Sequence, residues 1–218
     1  MDGPLTARTL LRHIRREIAL AERAGGNWRA VLDEWRDQVP LLWQRLPMVE
    51  RRRFLRHLRP YWDVHRHRMA PEIAAQIQDL QARGRLEIRA GTIEAYQACH
   101  EGIAVRFRPR GSNVETRIVG DWLVNCAGPT LDFRQVSDPL VRDLLSRGLA
   151  RPEPLGLSLE TTRGLQLLRR NGRPNTSLFA LGSLTRGTFW ETSTVPEIRE
   201  QGRTPARRLA MNGAARAA

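Results

Sequence analysis

The most informative segment of the chain reads Leu178-Phe-Ala-Leu-Gly-Ser-Leu-Thr-Arg-Gly-Thr-Phe-Trp-Glu-Thr-Ser-Thr-Val-Pro-Glu-Ile-Arg199. Its first apolar residues, 178–181, form a run too short for a helix and predict a short buried strand. Gly182 then allows the backbone to turn, or to approach a ligand where a Cβ atom would clash. After the turn come a loop with aromatic residues and then a helix. This order of strand, glycine turn, loop and helix is typical of a helix whose N-terminus faces a cofactor.

The start of the helix in this segment is well marked. Thr194 is a favourable N-cap, Glu197 completes a capping box three positions later, and Pro196 in the first turn loses no intrahelical hydrogen bond. The free N–H groups and the positive end of the helix dipole suit a phosphate, a carboxylate or the electron-rich edge of a flavin. An ordinary strand-loop-helix connection with a good cap explains the same residues, and the segment alone leaves both interpretations open.

The composition describes a basic, globular chain. Its 218 residues are 41% hydrophobic, which supports a core, and 36 basic against 23 acidic residues give a net charge of +13. Every basic residue is arginine, spread along the chain and often alternating with acidic residues at helical spacing. This pattern favours a compositional bias over a dedicated nucleic-acid surface, but it still predicts nonspecific, salt-dependent binding to polyanions.

The cysteines and the hydropathy indicate a reduced compartment. Cys99 and Cys126 are far apart, without the spacing of a metal site or a disulfide framework. Neither a signal-peptide apolar region after Met1 nor a run long enough for a membrane span is present, so we expect a cytoplasmic protein with no membrane association. His65 and His67 lack a nearby third ligand, which predicts hydrogen bonding rather than metal binding.

Residues 1–84 are predicted to be helical. Apolar residues recur at three- and four-residue steps in four segments. The first ends at Gly25-Gly26, the second is interrupted at Pro40, the third begins after Pro47, and the fourth runs from Pro71 to a stop at Gly84. One segment carries the best candidate for nucleic-acid contact, but the pattern favours a solvated helix face, because no aromatic side chains are interleaved with the charges. That candidate is the group Arg51, Arg52, Arg56 and Arg59.

Beyond Gly84 the apolar residues alternate, which predicts antiparallel strands in a meander over 86–90, 103–107 and 114–118. Trp122-Leu-Val124 is continuously apolar and predicts a strand covered on both faces. It runs into a small-residue turn at 125–129, where α/β folds place ligands. Residues 138–147 predict a short amphipathic helix, with short strands after it.

Two of these segments together resemble the C-terminal half of bacterial FAD/NAD(P)-binding oxidoreductases, which are distantly similar to flavin-dependent monooxygenases and other two-dinucleotide-domain flavoproteins. They are Asp121-Trp-Leu-Val-Asn-Cys-Ala-Gly-Pro129 and the stretch from Leu178 to Glu191. The helical part resembles the same class in Trp28-Arg-Ala-Val31, Arg53-Phe-Leu-Arg-His-Leu-Arg-Pro60 and Trp62-Asp-Val-His-Arg-His-Arg-Met-Ala-Pro71. The resemblance extends from about Leu5 to Leu209.

The resemblance implies an α/β protein that is α+β in this fragment. Residues 1–84 would be a helical segment, an insertion or part of the NAD(P)-side domain. Residues 85–218 would be the C-terminal part of the FAD-binding domain, with a β-meander, part of a Rossmann-like sheet and a C-terminal helix. The implied activity passes a hydride from NAD(P)H through FAD to an unknown acceptor.

The same resemblance implies a set of cofactor-binding residues, although none is a confident acid, base or nucleophile. The turn after Val124 would cross under FAD, the turn at Gly182 would meet its pyrophosphate and ribityl chain, and the helix start would face the flavin pyrimidine edge. In the family an Asp often follows the turn glycine, where this chain has Ser183. The implied residues are Cys126, Ala127, Gly128, Pro129, Gly182, Ser183, Trp190, Thr194, Val195, Pro196 and Glu197.

The sequence contains no GxGxxG turn, which dinucleotide folds use to grip the pyrophosphate. We therefore expect the C-terminal part of a longer flavoprotein, completed by an N-terminal nucleotide-binding region or a partner chain. Whether this chain alone is an enzyme stays open. Two alternatives remain at this point: an arginine-rich nucleic-acid-binding protein and an inactive flavoprotein fragment.

Overall fold

The computed structural model describes residues 5–126 and 132–217, with side chains as far as residue 210. Two compact units are present: unit 1 comprises Met1–Arg66 and Thr130–Ala218, and unit 2 comprises His67–Pro129. Both contain helix and antiparallel sheet in their described parts, so the fold class is mixed α+β. The predicted family domains, 1–84 and 85–218, stay predictions. Among the described helices, none combines the length and the apolar character needed to cross a bilayer.

The elements of the described chain follow one another with short connections. The helices are α1 Ala7–Arg23, α2 Trp28–Trp35, α3 Val39–Arg45, α4 Met48–His57, α5 Arg59–Arg66, α6 Pro71–Ala82, α7 Pro139–Ser146, α8 Arg186–Phe189 and α9 Val195–Ala217. The strands are β1 Gly91–Cys99, β2 Gly102–Pro109, β3 Thr116–Gly120, β4 Gln166–Leu168 and β5 Pro174–Phe179. Single 3-10 turns lie at Arg36–Gln38 and Gly182–Thr185.

Local signals in the sequence account for several helix boundaries. Thr6 caps α1 through a reciprocal bond with Thr9, and Gly25 follows that helix with φ +79°. Pro40 lies in the first turn of α3, so the predicted interruption is a new helix start after a 3-10 turn. The sequence offers Ser137 or Asp138 as the cap of α7, and Asp138 is the one that accepts the N–H of Val141, at 3.0 Å.

Unit 1 has two buried clusters, and the first is aromatic. Trp43 of α3 stacks on Trp190 at a centroid distance of 4.7 Å, and Phe54 of α4 meets both rings edge-on. The indole N–H of Trp43 donates to the carbonyl of Gly187 at 2.8 Å. The first cluster therefore joins α3 and α4 to the segment around α8, far along the chain.

The second cluster of unit 1 lies between α7 and the β4–β5 hairpin. Its buried residues come from both elements and from the chain between them: Val141, Ala150, Leu159, Leu167 and Ala180. Leu165 precedes β4 with φ +66°, a conformation that an L residue seldom adopts, and it is almost fully buried. Burial of its side chain offsets the cost of that conformation.

Unit 2 contains α6 and a three-stranded antiparallel sheet in the order β1-β2-β3. The central strand pairs Val105 with Tyr96 on one side and with Ile118 on the other. The predicted meander is confirmed for β2 and β3. The predicted strand over 86–90 is wrong, because those residues form no ladder and the strand begins at Gly91.

The prediction of a buried strand at Trp122-Leu-Val124 is also wrong. These residues follow the end of β3 and pair with no other strand in the part of the chain that is described. Trp122 is 89% exposed and Val124 75% exposed. A continuous apolar run becomes a doubly covered strand only where neighbouring strands and outer layers exist, and unit 2 supplies none for this run.

Candidate functional site

The start of α9 lies against the Gly182 turn in unit 1. Gly182 has φ +62°, and a Cβ atom added there would lie 3.4 Å from the side chain of Ile198. Its N–H donates to Oε1 of Gln201 at 2.8 Å, and its carbonyl accepts the hydroxyl of Thr185 at 2.8 Å. The structure therefore brings together the two segments, turn and helix start, that the sequence singled out.

The helix start itself is capped and open to solvent. Thr194 precedes α9, its N–H donates to Oε2 of Glu197 at 2.8 Å, and its carbonyl accepts the N–H of Ile198. This is the backbone half of the predicted capping box. Val195 is 78% exposed, and Pro196 beside it is exposed as well. The N–H groups of Val195 and Glu197 have no acceptor within the helix, so they remain available to an anion.

Arginines from two N-terminal elements converge on this helix start. Nη2 of Arg36 donates to Oε1 of Glu197 at 3.1 Å and to the hydroxyl of Thr194 at 3.2 Å. Arg66 at the end of α5 lies 3.4 Å from Glu197 and 3.4 Å from Glu191, which also accepts the indole N–H of Trp62. The network is largely buried and fixes the direction of the first turn of α9.

The charges of the network act on the acids within it. Burial alone would raise the pKa of Glu197, but hydrogen bonds from Thr194 and Arg36, together with the charge of Arg36, outweigh it and hold this pKa below its ordinary value. Burial, followed by the nearby charge of Arg59, lowers the pKa of Arg186. Three arginines (36, 66 and 186) face two glutamates (191 and 197), so the surroundings favour a bound anion.

Trp190 connects this network to the aromatic cluster. Its backbone has φ +67°, its side chain is 4% exposed, and the Arg186 guanidinium lies 4.7 Å from its ring centroid. Nε1 of Trp190 and the hydroxyl oxygen of Thr192 are buried without a hydrogen-bond partner among the described residues. Strain and unsatisfied polar atoms in one short loop are features that concentrate at functional sites.

Two further residues of the predicted site lie in the described chain, one in the Gly182 turn and one in unit 2. Ser183 is exposed beside Gly182, and Cys126 is exposed in unit 2. Ala127, Gly128 and Pro129 lie outside the described residues. Over the described ranges, no group of three or more His, Cys, Asp or Glu side chains could hold a metal. Nδ1 of His65 lies 2.7 Å from the carbonyl of Tyr61, which gives that ring the hydrogen-bonding role predicted for it.

The predicted arginine group is divided between two helices, with Arg51, Arg52 and Arg56 in α4 and Arg59 at the start of α5. Arg51 donates to the carbonyls of Leu46 and Gln44 and lies 5.3 Å from the Trp43 ring centroid. Arg59 pairs with Asp63. Only Arg52 and Arg56 of the four point their charges to solvent without an ion pair in the described chain. A two-charge patch matches the solvated-face interpretation better than a dedicated nucleic-acid surface.

Sequence reasoning missed Glu153. This buried carboxylate accepts the N–H groups of Leu155 and Leu157 at 2.8 and 2.6 Å, and burial raises its pKa despite these bonds. It packs against Gly187, where an added Cβ atom would overlap the Glu153 side chain. Nothing local to Pro-Glu-Pro at 152–154 predicts that Glu153 is buried, because Gly187, against which it packs, is far along the chain.

The chain was also compared with known proteins. No family model matches it, and neither a curated protein nor a solved structure matches it.

Proposed function

We propose that this chain is the C-terminal part of an FAD- and NAD(P)-dependent oxidoreductase, in which a hydride passes from the nicotinamide through the flavin to an acceptor. One observation carries the proposal: the Gly182 turn and the start of α9 are in direct contact, through Ile198 and Gln201. The family resemblance assigns both segments to the same cofactor. Two segments that bind one ligand must be neighbours, and these are.

The residues at the start of α9 fit the electronic requirement of a flavin. A flavin accepts and releases hydride, and its reduced ring carries negative charge at the pyrimidine edge. The free N–H groups of Val195 and Glu197, at the positive end of a 23-residue helix, stabilise such charge. Arg36 and Arg66 pair with one oxygen of the Glu197 carboxylate, and its other oxygen accepts the N–H of Thr194.

The residues of the Gly182 turn fit the chain that links flavin to phosphate. The absence of a Cβ at Gly182 leaves room for Ile198 of α9, and the Gly182 N–H is used by Gln201, so the turn would meet the cofactor through the residue that follows. The exposed hydroxyl of Ser183 is then the group offered to a ribityl hydroxyl. Our proposal includes residues 126–129 as a further contact and assigns β4, β5 and α9 to a Rossmann-like FAD-binding domain. A glycine-rich pyrophosphate turn would come from another region or chain.

Titration with FAD tests the proposal. We expect the 218-residue chain to quench FAD fluorescence saturably. Val195→Glu places a carboxylate at the helix start and should weaken binding by roughly threefold to tenfold, because a charge at a helix terminus is worth about 0.3–2 kcal/mol. Leu209→Glu makes the same change at another exposed position of α9 and should leave affinity unchanged.

Two outcomes would contradict the proposal. The first is a chain that binds no FAD at concentrations where it remains folded by circular dichroism. The second is an equal effect of the two glutamate variants, which would reflect the added net charge rather than a site at the start of α9.

A further inference from the structure

Unit 1 contains a cavity of about 390 Å³ between α1 and the first aromatic cluster. We infer that it binds a small amphipathic acid, with an aromatic or alicyclic body in the cavity and a carboxylate at its rim. The inference does not depend on the proposed flavin function, because the walls come from α1–α5 and Trp190 alone and binding is measured without flavin. The walls include Ile14, Trp35, Trp43, Phe54, Trp62 and Trp190.

The aromatic walls are fixed before any ligand arrives. The indole N–H of Trp35 donates to Glu17 at 2.6 Å, that of Trp43 to the carbonyl of Gly187, and that of Trp62 to Glu191. Each of these bonds orients a ring and uses its only polar atom. These three rings therefore present carbon to the cavity, which suits a ring or an aliphatic body and offers little to a polar one.

The charged side chains of the lining indicate that the ligand is an anion. The lining contains Arg15 and His65 and no carboxylate. Arg15 forms no ion pair among the described residues, although its helix carries Glu17 and Glu22 nearby. Nδ1 of His65 is the donor to the Tyr61 carbonyl, so a ring with one proton leaves Nε2 as an acceptor, and Arg15 is the group of the lining that can donate to a carboxylate. A carboxylate at this rim therefore gains Arg15 as a partner, whereas an ammonium group finds no carboxylate among the lining residues.

The volume favours a small molecule over a polypeptide. Pockets for small ligands measure about 300–1,000 Å³. Two turns of an α-helix about 10 Å in diameter occupy roughly 850 Å³, more than twice this cavity. The cavity is partly open to solvent, so a ligand can enter it, and covering its apolar walls removes apolar surface from water.

Two matched probes test the inference: naphthaleneacetate, and the neutral naphthaleneacetamide of nearly the same shape. By titration calorimetry we expect the acid to bind the 218-residue chain about fivefold more tightly than the amide. Arg15→Gln should remove this preference and leave the amide affinity unchanged. Arg16→Gln, on the neighbouring exposed position outside the cavity, should retain the preference.

A second variant tests the cavity itself. Ile14→Trp fills the space and should abolish binding of both probes while the cooperative unfolding transition remains. If that variant fails to fold, the comparison of Arg15→Gln with Arg16→Gln still decides. Failure of both probes to bind, equal affinities of acid and amide, or equal effects of the two arginine variants would overturn the inference. Self-association that Ile14→Trp abolishes would show a second copy as the occupant and overturn it as well.

Discussion

Gly187 occupies a position where any side chain collides with Glu153. The carboxylate of Glu153 cannot withdraw freely, because its oxygens accept two backbone N–H groups. We expect Gly187→Ala to lower the free energy of unfolding by about 1–3 kcal/mol, the usual cost of overpacking. Gly202→Ala, also inside a helix but with open space around it, should be neutral or stabilising by up to about 1 kcal/mol. Urea unfolding measures both, and equal losses would contradict the collision.

Glu197 makes stability depend on pH in a defined direction. Its folded pKa lies below the ordinary value of 4.5, so its contribution is present above that value and is lost as the pH falls through the folded pKa. At about pH 7, Glu197→Gln should cost roughly 1–3 kcal/mol, as expected for hydrogen bonds to a charged group. The difference from the wild type should shrink below about pH 4.

The control for this pH dependence is Glu200→Gln on the same helix. Glu200 pairs with Arg203 at an exposed position, where an ion pair contributes little. Its substitution should leave unfolding nearly unchanged at both pH values. A difference between wild type and Glu197→Gln that stays constant from neutral to acidic pH would contradict the lowered pKa.

Among the elements, α7 tests the value of a local cap. Asp138→Ala removes the acceptor for the Val141 N–H and should destabilise unit 1 by about 1 kcal/mol. Asp143→Ala changes the same residue type on the same helix but removes only an exposed pair with Arg147, so it should cost about 0–0.5 kcal/mol. Thermal unfolding compares the two variants. A larger loss for Asp143→Ala would be inconsistent with the cap.

The elements also show what the sequence could predict. The cap of α7, the glycine after α1 and the start of α9 depend on residues within one turn of each other, and they were predictable for that reason. The exposed Trp122 was not, because burial of an apolar run depends on layers contributed from elsewhere. The same limit applies to the site. Thr194 and Glu197 indicate a helix start from neighbouring residues, but Arg36, which donates to Glu197, lies 161 residues away in the sequence, and no local pattern predicts that contact.

For the molecule as a whole, the net charge of +13 predicts binding to DNA that is weak and strongly salt-dependent. We expect retention on a DNA column at low salt, without sequence preference, and loss near physiological salt. Arg52→Gln with Arg56→Gln removes two unpaired charges and should reduce the slope of log affinity against log salt by up to about 1.8. The paired residues Arg147 and Arg203, substituted in the same way, should matter less. Sequence-selective binding that survives physiological salt would contradict this expectation.

The stacking of Trp43 on Trp190 has a consequence for synthesis on the ribosome. Unit 1 is interrupted by unit 2, and Gly187, the hydrogen-bond partner of Trp43, follows it by 144 residues. At about 5–20 residues per second, roughly 7–30 s pass between the translation of one and of the other. During that time the nascent helices α3 and α4 carry their aromatic side chains uncovered, which makes them a target for chaperones that recognise apolar segments.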